Sequence, residues 1–146
     1  MTRLLDARTS QNASYEQSIS IGTDSIPTMF GQVGLQCIKP GGVIRVDFNA
    51  SMTILFPINT PVVTIIIQIV RGTLLTDLLV YSANLTIPGI GTDGALIFPF
   101  NVNGSDYNVP APPDDQLIYT AFVSANSTML SRIGPESFNA AAYCDF

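Results

Sequence analysis

Val62-Val63-Thr64-Ile65-Ile66-Ile67-Gln68-Ile69-Val70 decides the fold class. Seven of these nine positions are Val or Ile and an eighth is Thr64, and β-branched side chains lose least freedom in extended backbone. Pro61 precedes the run and Arg71-Gly72 closes it, so it is too short for a confident helix. Its apolar length stops far below the roughly twenty residues that a membrane helix needs. It reads as a central strand, buried on both faces.

Working outward, the same grammar repeats. Val33–Ile38 reads as a strand, Pro40-Gly41-Gly42 punctuates it, and Val43–Phe48 alternates at period two with Val43, Arg45 and Asp47 on one face. Two charges on that face mean it meets water or a partner. Ser51–Phe56 follows, closed by Pro57. Thr73–Tyr81 also fits helical leucine spacing, but strands on both sides and the single-glycine boundary favour a strand. Leu85–Ile87, the turn-rich stretch Pro88–Gly94 and Ala95–Phe98 come next. Residues 101–115, rich in Asn, Asp and Pro, read as a long loop. Gln116–Ser124 alternates clearly, and Thr128–Ile133 and Ser137–Cys144 complete the set. Phe30, Phe48, Phe56, Phe98, Phe100, Phe122 and Phe138 fall mostly on strands and are core candidates.

Eight or nine short strands with regular turn signals and no fixed repeat predict an all-β fold, a jelly-roll β-sandwich of about eight strands. Residues 1–25 are polar and aperiodic and read as a flexible N-terminal arm, with Glu16–Ile21 as a short strand. Residues 26–146 form the sandwich domain. At 146 residues the chain fits one domain with a real core.

Composition narrows the function. The charged fraction is 12% against about 25% in ordinary proteins, with 47% hydrophobic residues, so much of the surface is expected to lie against partners. The six basic residues are five arginines and Lys39, and the net charge of −5 leaves no basic patch for a phosphate backbone, so no nucleic-acid partner is expected. The N-terminal segment Met1–Arg8 lacks the apolar run of a signal peptide, and neither export nor membrane insertion is expected.

Histidine is absent, which removes the commonest general base and metal ligand together. No Ser-His pair is available, and a Ser-Lys dyad would have to use Lys39 beside the Pro-Gly-Gly turn. The adjacent acids Asp114 and Asp115 tend to point apart, which suits them poorly to a facing carboxyl pair. Together with Asp106, Asn101, Asn103 and Ser105 they offer hard oxygens for a weak calcium loop, with a solvated acidic loop as the plainer reading. Tyr107, between Asp106 and Asn108, is the one cluster that would suit a glycan. No catalytic residue, cofactor or resident metal is expected. Asn12, Asn49, Asn84, Asn103 and Asn126 match Asn-x-Ser/Thr, a composition that a turn-rich β protein produces without glycosylation. Cys37 and Cys144 are too far apart in sequence for a paired zinc motif. They are open to a disulfide, an inter-subunit cross-link, or inert thiols.

The opening Met1–Gln11 and the closing Arg132–Tyr143 resemble the ends of exosporium proteins of spore-forming Bacillus relatives, of the exosporium protein C type. The resemblance covers both termini, and the middle only in character. It implies a non-enzymatic subunit that self-assembles, as a trimer or polymer with other spore-layer proteins, at a spore surface (exosporium or coat), with a tumour-necrosis-factor-like jelly roll. In such jelly rolls the first and last strands pair, so a Cys37–Cys144 bridge would close the domain over more than a hundred residues, worth up to about 4–5 kcal/mol. The alternative is a ligand-binding or viral capsid or tail jelly-roll module, which shares the composition.

Overall fold

In the computed structural model, residues 1–89 and 94–146 are described, and among them every regular element is a strand. The strands are β1 (Thr2–Ala13), β2 (Ile21–Gly22), β3 (Thr28–Gln36), β4 (Val43–Phe56), β5 (Val63–Arg71), β6 (Leu78–Ile87), β7 (Leu96–Val109), β8 (Gln116–Ala125), β9 (Ser131–Arg132) and β10 (Glu136–Asp145). One sheet runs β1-β10-β4-β7, with β9 beside the end of β4 and β2 beside β9; the other runs β3-β8-β5-β6.

The pairing is nested. β1 pairs with β10, β3 with β8, β4 with β7 and β5 with β6, all antiparallel. Eight long strands so paired are one long hairpin rolled into two facing sheets, which is the jelly roll expected from the sequence. The core lies between the sheets. β4 shows the cause most plainly: Ile44, Val46, Phe48, Ala50, Met52, Ile54 and Phe56 all point inward and are buried. Ile65, Ile67 and Ile69 of β5 and Tyr119, Ala121 and Val123 of β8 face them from the second sheet.

Several local expectations change. The flexible arm over residues 1–25 is, for its first half, the twelve-residue strand β1, and only residues 14–20 loop before β2. β1 is an edge strand with mostly exposed side chains, held by its backbone ladder to β10, so it writes no apolar period into the sequence. Within Glu16–Ile21, only Ile21 belongs to a strand. Val43–Phe48 and Ser51–Phe56 are one strand, because Asn49 faces outward and pairs opposite Asn103 without interrupting the ladder. β5 is buried on one face only; Thr64, Ile66 and Gln68 are half-exposed.

Residues 72–77 form a turn in place of the start of a strand. Asp77 Oδ2 accepts the N–H groups of Thr73 and Leu74, and Gly72 at φ 138° sits where any Cβ would strike that carboxylate. Leu85–Ile87 is simply the end of β6. The long loop over 101–115 shrinks to 110–115, since β7 runs to Val109. Its Asn and Ser residues lie on a wet outer face, where pairing with β4 overrides turn propensity. Of the turn-rich stretch Pro88–Gly94, residues 90–93 lie outside the described residues. Thr128–Ile133 shortens to β9.

The two long sides of the sandwich differ. At the β1/β3 side, Asp6 Oδ2 accepts the Gln36 N–H at 2.9 Å and Ser10 Oγ accepts the Gln32 N–H at 3.2 Å, so side chains of one edge satisfy the backbone of the other. The β6/β7 side has no such lacing among the described residues, and Tyr81, Leu85, Phe98, Phe100 and Val102 remain only partly buried there.

Candidate functional site

The outer face of the β1-β10-β4-β7 sheet gathers the polar residues that the strands expel from the core. Register sets them in rows across the sheet. One row is Asn103, Asn49, Asn139 and Thr9; the next is Ser105, Asp47, Ala141 and Ala7; then come Tyr107, Arg45 and Tyr143. Because Ala7 and Ala141 are small, the middle of this face sinks into a shallow depression of about 730 Å³, bordered by Arg8 and Arg45. Gly104, beneath this face, is required on the core side: a Cβ there would come within 2.6 Å of the Phe48 ring.

The charges on this face are already paired. Arg45 donates to Asp47 and, at 3.2 Å, to Asp145, and its guanidinium lies 4.7 Å from the centre of the Tyr143 ring. Asp145, bonded by the Thr2 hydroxyl and by Arg45, is held below the usual carboxylate range; Arg45 is correspondingly raised. Ser105 donates to Asp47 at 2.6 Å, Asn49 to Asn103, and Ser51 and Ser137 share a bond of 2.9 Å. The depression therefore offers neutral amide and hydroxyl groups, with the Arg45 charge matched by two carboxylates.

The residues singled out as an oxygen-ligand or glycan loop do not converge. Asp106 points into the protein, where it takes two bonds of 2.9 Å from Arg71 and one of 2.7 Å from the Tyr119 hydroxyl. A carboxylate so engaged has no oxygen free for calcium. Asp114 accepts the Gln116 N–H, and Asp115, at φ 59°, uses its carbonyl to accept the Cys37 N–H; both shape the β7–β8 turn. Tyr107 is 63% exposed on the outer face and separated by strand alternation from Asp106. Among the described residues no cluster of three or more acids or thiols is disposed to hold a metal.

Cys37 and Cys144 are separate, buried free thiols, so neither a bridge nor an exposed cross-linking group is present. Burial, with Asp6 and Asp115 nearby, pushes the Cys37 thiol up to about 11. Cys144 Sγ donates to the Pro40 carbonyl. Of the Asn-x-Ser/Thr asparagines, Asn12 bonds Glu136 and Asn126 accepts the Thr64 N–H, which gives them structural roles.

Two clusters carried no sequence signal. Arg71, Asp106 and Tyr119 join β5, β7 and β8. Arg132 and Glu136, both buried, form a two-bond pair with Asn12 as a third member, beneath the break between β9 and β10. A third feature is apolar: Leu74, Leu75, Leu78 and Leu79 are all exposed, in the β5–β6 turn and the start of β6. The leucine-rich run was visible in sequence, but its exposure depended on the turn ending at Asp77.

No protein-family profile and no curated protein matches this chain. Among solved structures it is similar to the infectious bursal disease virus VP2 subviral particle (11% identity, TM-score 0.42, covering 98% of this chain and 33% of that one). It is also similar to T=1 particles derived from infectious bursal virus (11%, TM-score 0.46, 98% and 36%) and to the cowpea mosaic virus top component (11%, TM-score 0.34, 99% and 86%). The chain spans about a third of the length of the first two. These values are too low to carry a role from those proteins to this one.

Proposed function

We propose that this chain is a non-enzymatic structural subunit that assembles with copies of itself into a protein shell or layer. The observation that carries the reading is the leucine cluster at the β5–β6 turn. Leu74 is 62% exposed and Leu78 59%, with Leu75 and Leu79 beside them. Single exposed leucines are ordinary; four exposed within the six residues 74–79, on a chain this poor in charge, mark a segment that is covered in use.

The fate of the charges supports it. Arg8, Arg45, Arg71 and Arg132 are each paired with carboxylates of the same chain, so these cations serve the fold and are not held out for a charged ligand. Asp6, Asp47, Asp106, Glu136 and Asp145 are the carboxylates taken up in those pairs.

A viral particle and the outer layer of a spore are both settings for such a subunit. The particle-forming neighbours bring the first to mind. The second rests on the resemblance of the two termini, which here fold as β1 and β10 and pair with each other, so the matching residues serve fold closure.

Light scattering of the purified protein, followed by electron microscopy, tests the proposal. Oligomers or regular particles are expected. A monomer that persists at high concentration would overturn it and return the polar depression to the front as a ligand site.

A further inference from the structure

The sandwich has four long edge strands, and three of them are managed. β1 and β3 are laced together by Asp6 and Ser10. β7 carries Pro99 as the fourth of its fourteen residues, and proline has no N–H to give a ladder and is a residue that sheets confine to their edges. β6 alone has no such device. From Leu78 to Ile87 it contains no charge and no proline, and its one register shift, at Val80, lies near its start. Among the described residues, no backbone hydrogen bond joins β6 to anything but β5. Beside it, the half-exposed Phe98, Phe100 and Val102 of β7 continue the apolar surface.

We infer that the free edge of β6 is a self-pairing edge, which joins antiparallel to β6 of a second copy about a two-fold axis and makes one eight-stranded sheet from two four-stranded ones. The inference rests on the assembly reading above and names its contact. What identifies the occupant is the self-complementarity of the strand. With the axis through Ala83, the small Ala83 meets its own copy, and Tyr81 falls opposite Leu85 on both sides of it. These three lie on the inward face of β6, since Tyr81, Ala83 and Leu85 pair with Ile69, Ile67 and Ile65. On the outward face the same register sets Ser82 opposite Asn84, a hydrogen-bonding pair. Aromatic–aliphatic cross-strand pairs flanking a small central one stabilise antiparallel strands, and like charges placed opposite destabilise them. An isologous contact of this kind closes on itself, takes in Leu79 opposite Ile87 of the copy, and leaves the polar depression of the other sheet free for further contacts.

The test is the native mass of the full chain by light scattering, wild type against two double variants. Ser82→Lys with Asn84→Lys sets two like-charge pairs across the axis; Ser82→Lys with Asn84→Asp sets two opposite-charge pairs. Both side chains are exposed, so the monomer fold tolerates either change. The inference expects the first double variant to halve the wild-type mass and the second to restore it. If the wild type is oligomeric and neither variant changes its mass, the β6 contact is overturned while assembly stands through another face. A monomeric wild type overturns both. As an independent reading, Ala83→Cys is expected to give a covalent dimer on mild oxidation, because the native thiols are buried; a chain that stays monomeric on a non-reducing gel counts against the pairing.

Discussion

Arg71 and Asp106 clasp the two sheets together: Arg71 ends β5 in one sheet, Asp106 stands in β7 of the other, and two hydrogen bonds of 2.9 Å join them. The Tyr119 hydroxyl adds a third bond at 2.7 Å from the central strand β8. Three elements distant in sequence thus share one carboxylate. Removing that carboxylate leaves a largely buried guanidinium and a buried hydroxyl without acceptors.

Asp106→Leu is therefore expected to cost about 3–5 kcal/mol, the usual penalty for orphaning one member of a buried pair. Replacing the whole cluster, with Arg71→Met and Tyr119→Phe added, is expected to recover much of that loss, since no unpaired group remains. Urea unfolding midpoints for the single and triple variants check this. A triple variant no more stable than the single one would mean that the cluster is held for its attraction and not merely for its completeness.

The acid limb of stability follows from Asp6 and Asp145. The Gln36 N–H holds the Asp6 carboxyl below its ordinary range, and the Thr2 hydroxyl and Arg45 do the same for Asp145. Groups with a depressed folded value contribute stability that is present above the unfolded value and lost as pH falls through the folded one. Stability is expected to decline below about pH 4. In Asp6→Asn the decline should be shallower, with a lower plateau at pH 6, because the β1/β3 lacing loses its charged acceptor. Midpoints measured from pH 6 to pH 2.5 would show both effects, and parallel curves for variant and wild type would contradict them.

Much of the fold was legible because most of the long strands write their burial directly into period-two patterns: Val43–Phe48, Gln116–Ser124 and the isoleucines of β5 each reveal an inner face. β1 was not legible because an edge strand with two polar faces has no pattern to show. β7 was misread for a related reason: Asn101, Asn103 and Ser105 are turn residues by propensity, and only the partner strand β4 makes them strand residues. The site was less legible still. Which of Asp106 and Tyr107 faces inward depends on the register of β7 against β4, which no local signal sets. The Arg132–Glu136 pair depends on a break between β9 and β10 that tertiary pairing creates.

Gly31 marks a close approach between the sheets that no larger residue permits. A Cβ at this position would lie 2.5 Å from the Cβ of Phe138, a fully buried side chain of β10. An atom so near the backbone cannot swing aside, so the sheets themselves must part. Gly31→Ala is expected to destabilise by about 2–3 kcal/mol through overpacking. Gly22→Ala, where nothing lies within 4 Å, serves as the control and is expected to be close to neutral. Equal thermal midpoints for the two variants would rule out this account of the inter-sheet contact.

The alkaline limb belongs to Cys37 and Tyr119. Burial raises the Cys37 thiol from 9.0 to about 11. Burial and the bond to Asp106 raise the Tyr119 hydroxyl as well. A raised folded value means that the unfolded chain loses its proton first, so stability is intact below the unfolded value and declines as pH climbs toward the folded one. For Cys37 the window is pH 9 to 11, with about 2–3 kcal/mol at stake. Cys37→Ala is expected to be less stable than wild type at pH 8, for lost packing, yet to lose less on going to pH 10.5. The same burial keeps both thiols from alkylating reagents at pH 8 until the chain unfolds. Rapid labelling of native protein, or an equal alkaline loss in Cys37→Ala, would show that the thiol is not held in the core as the structure has it.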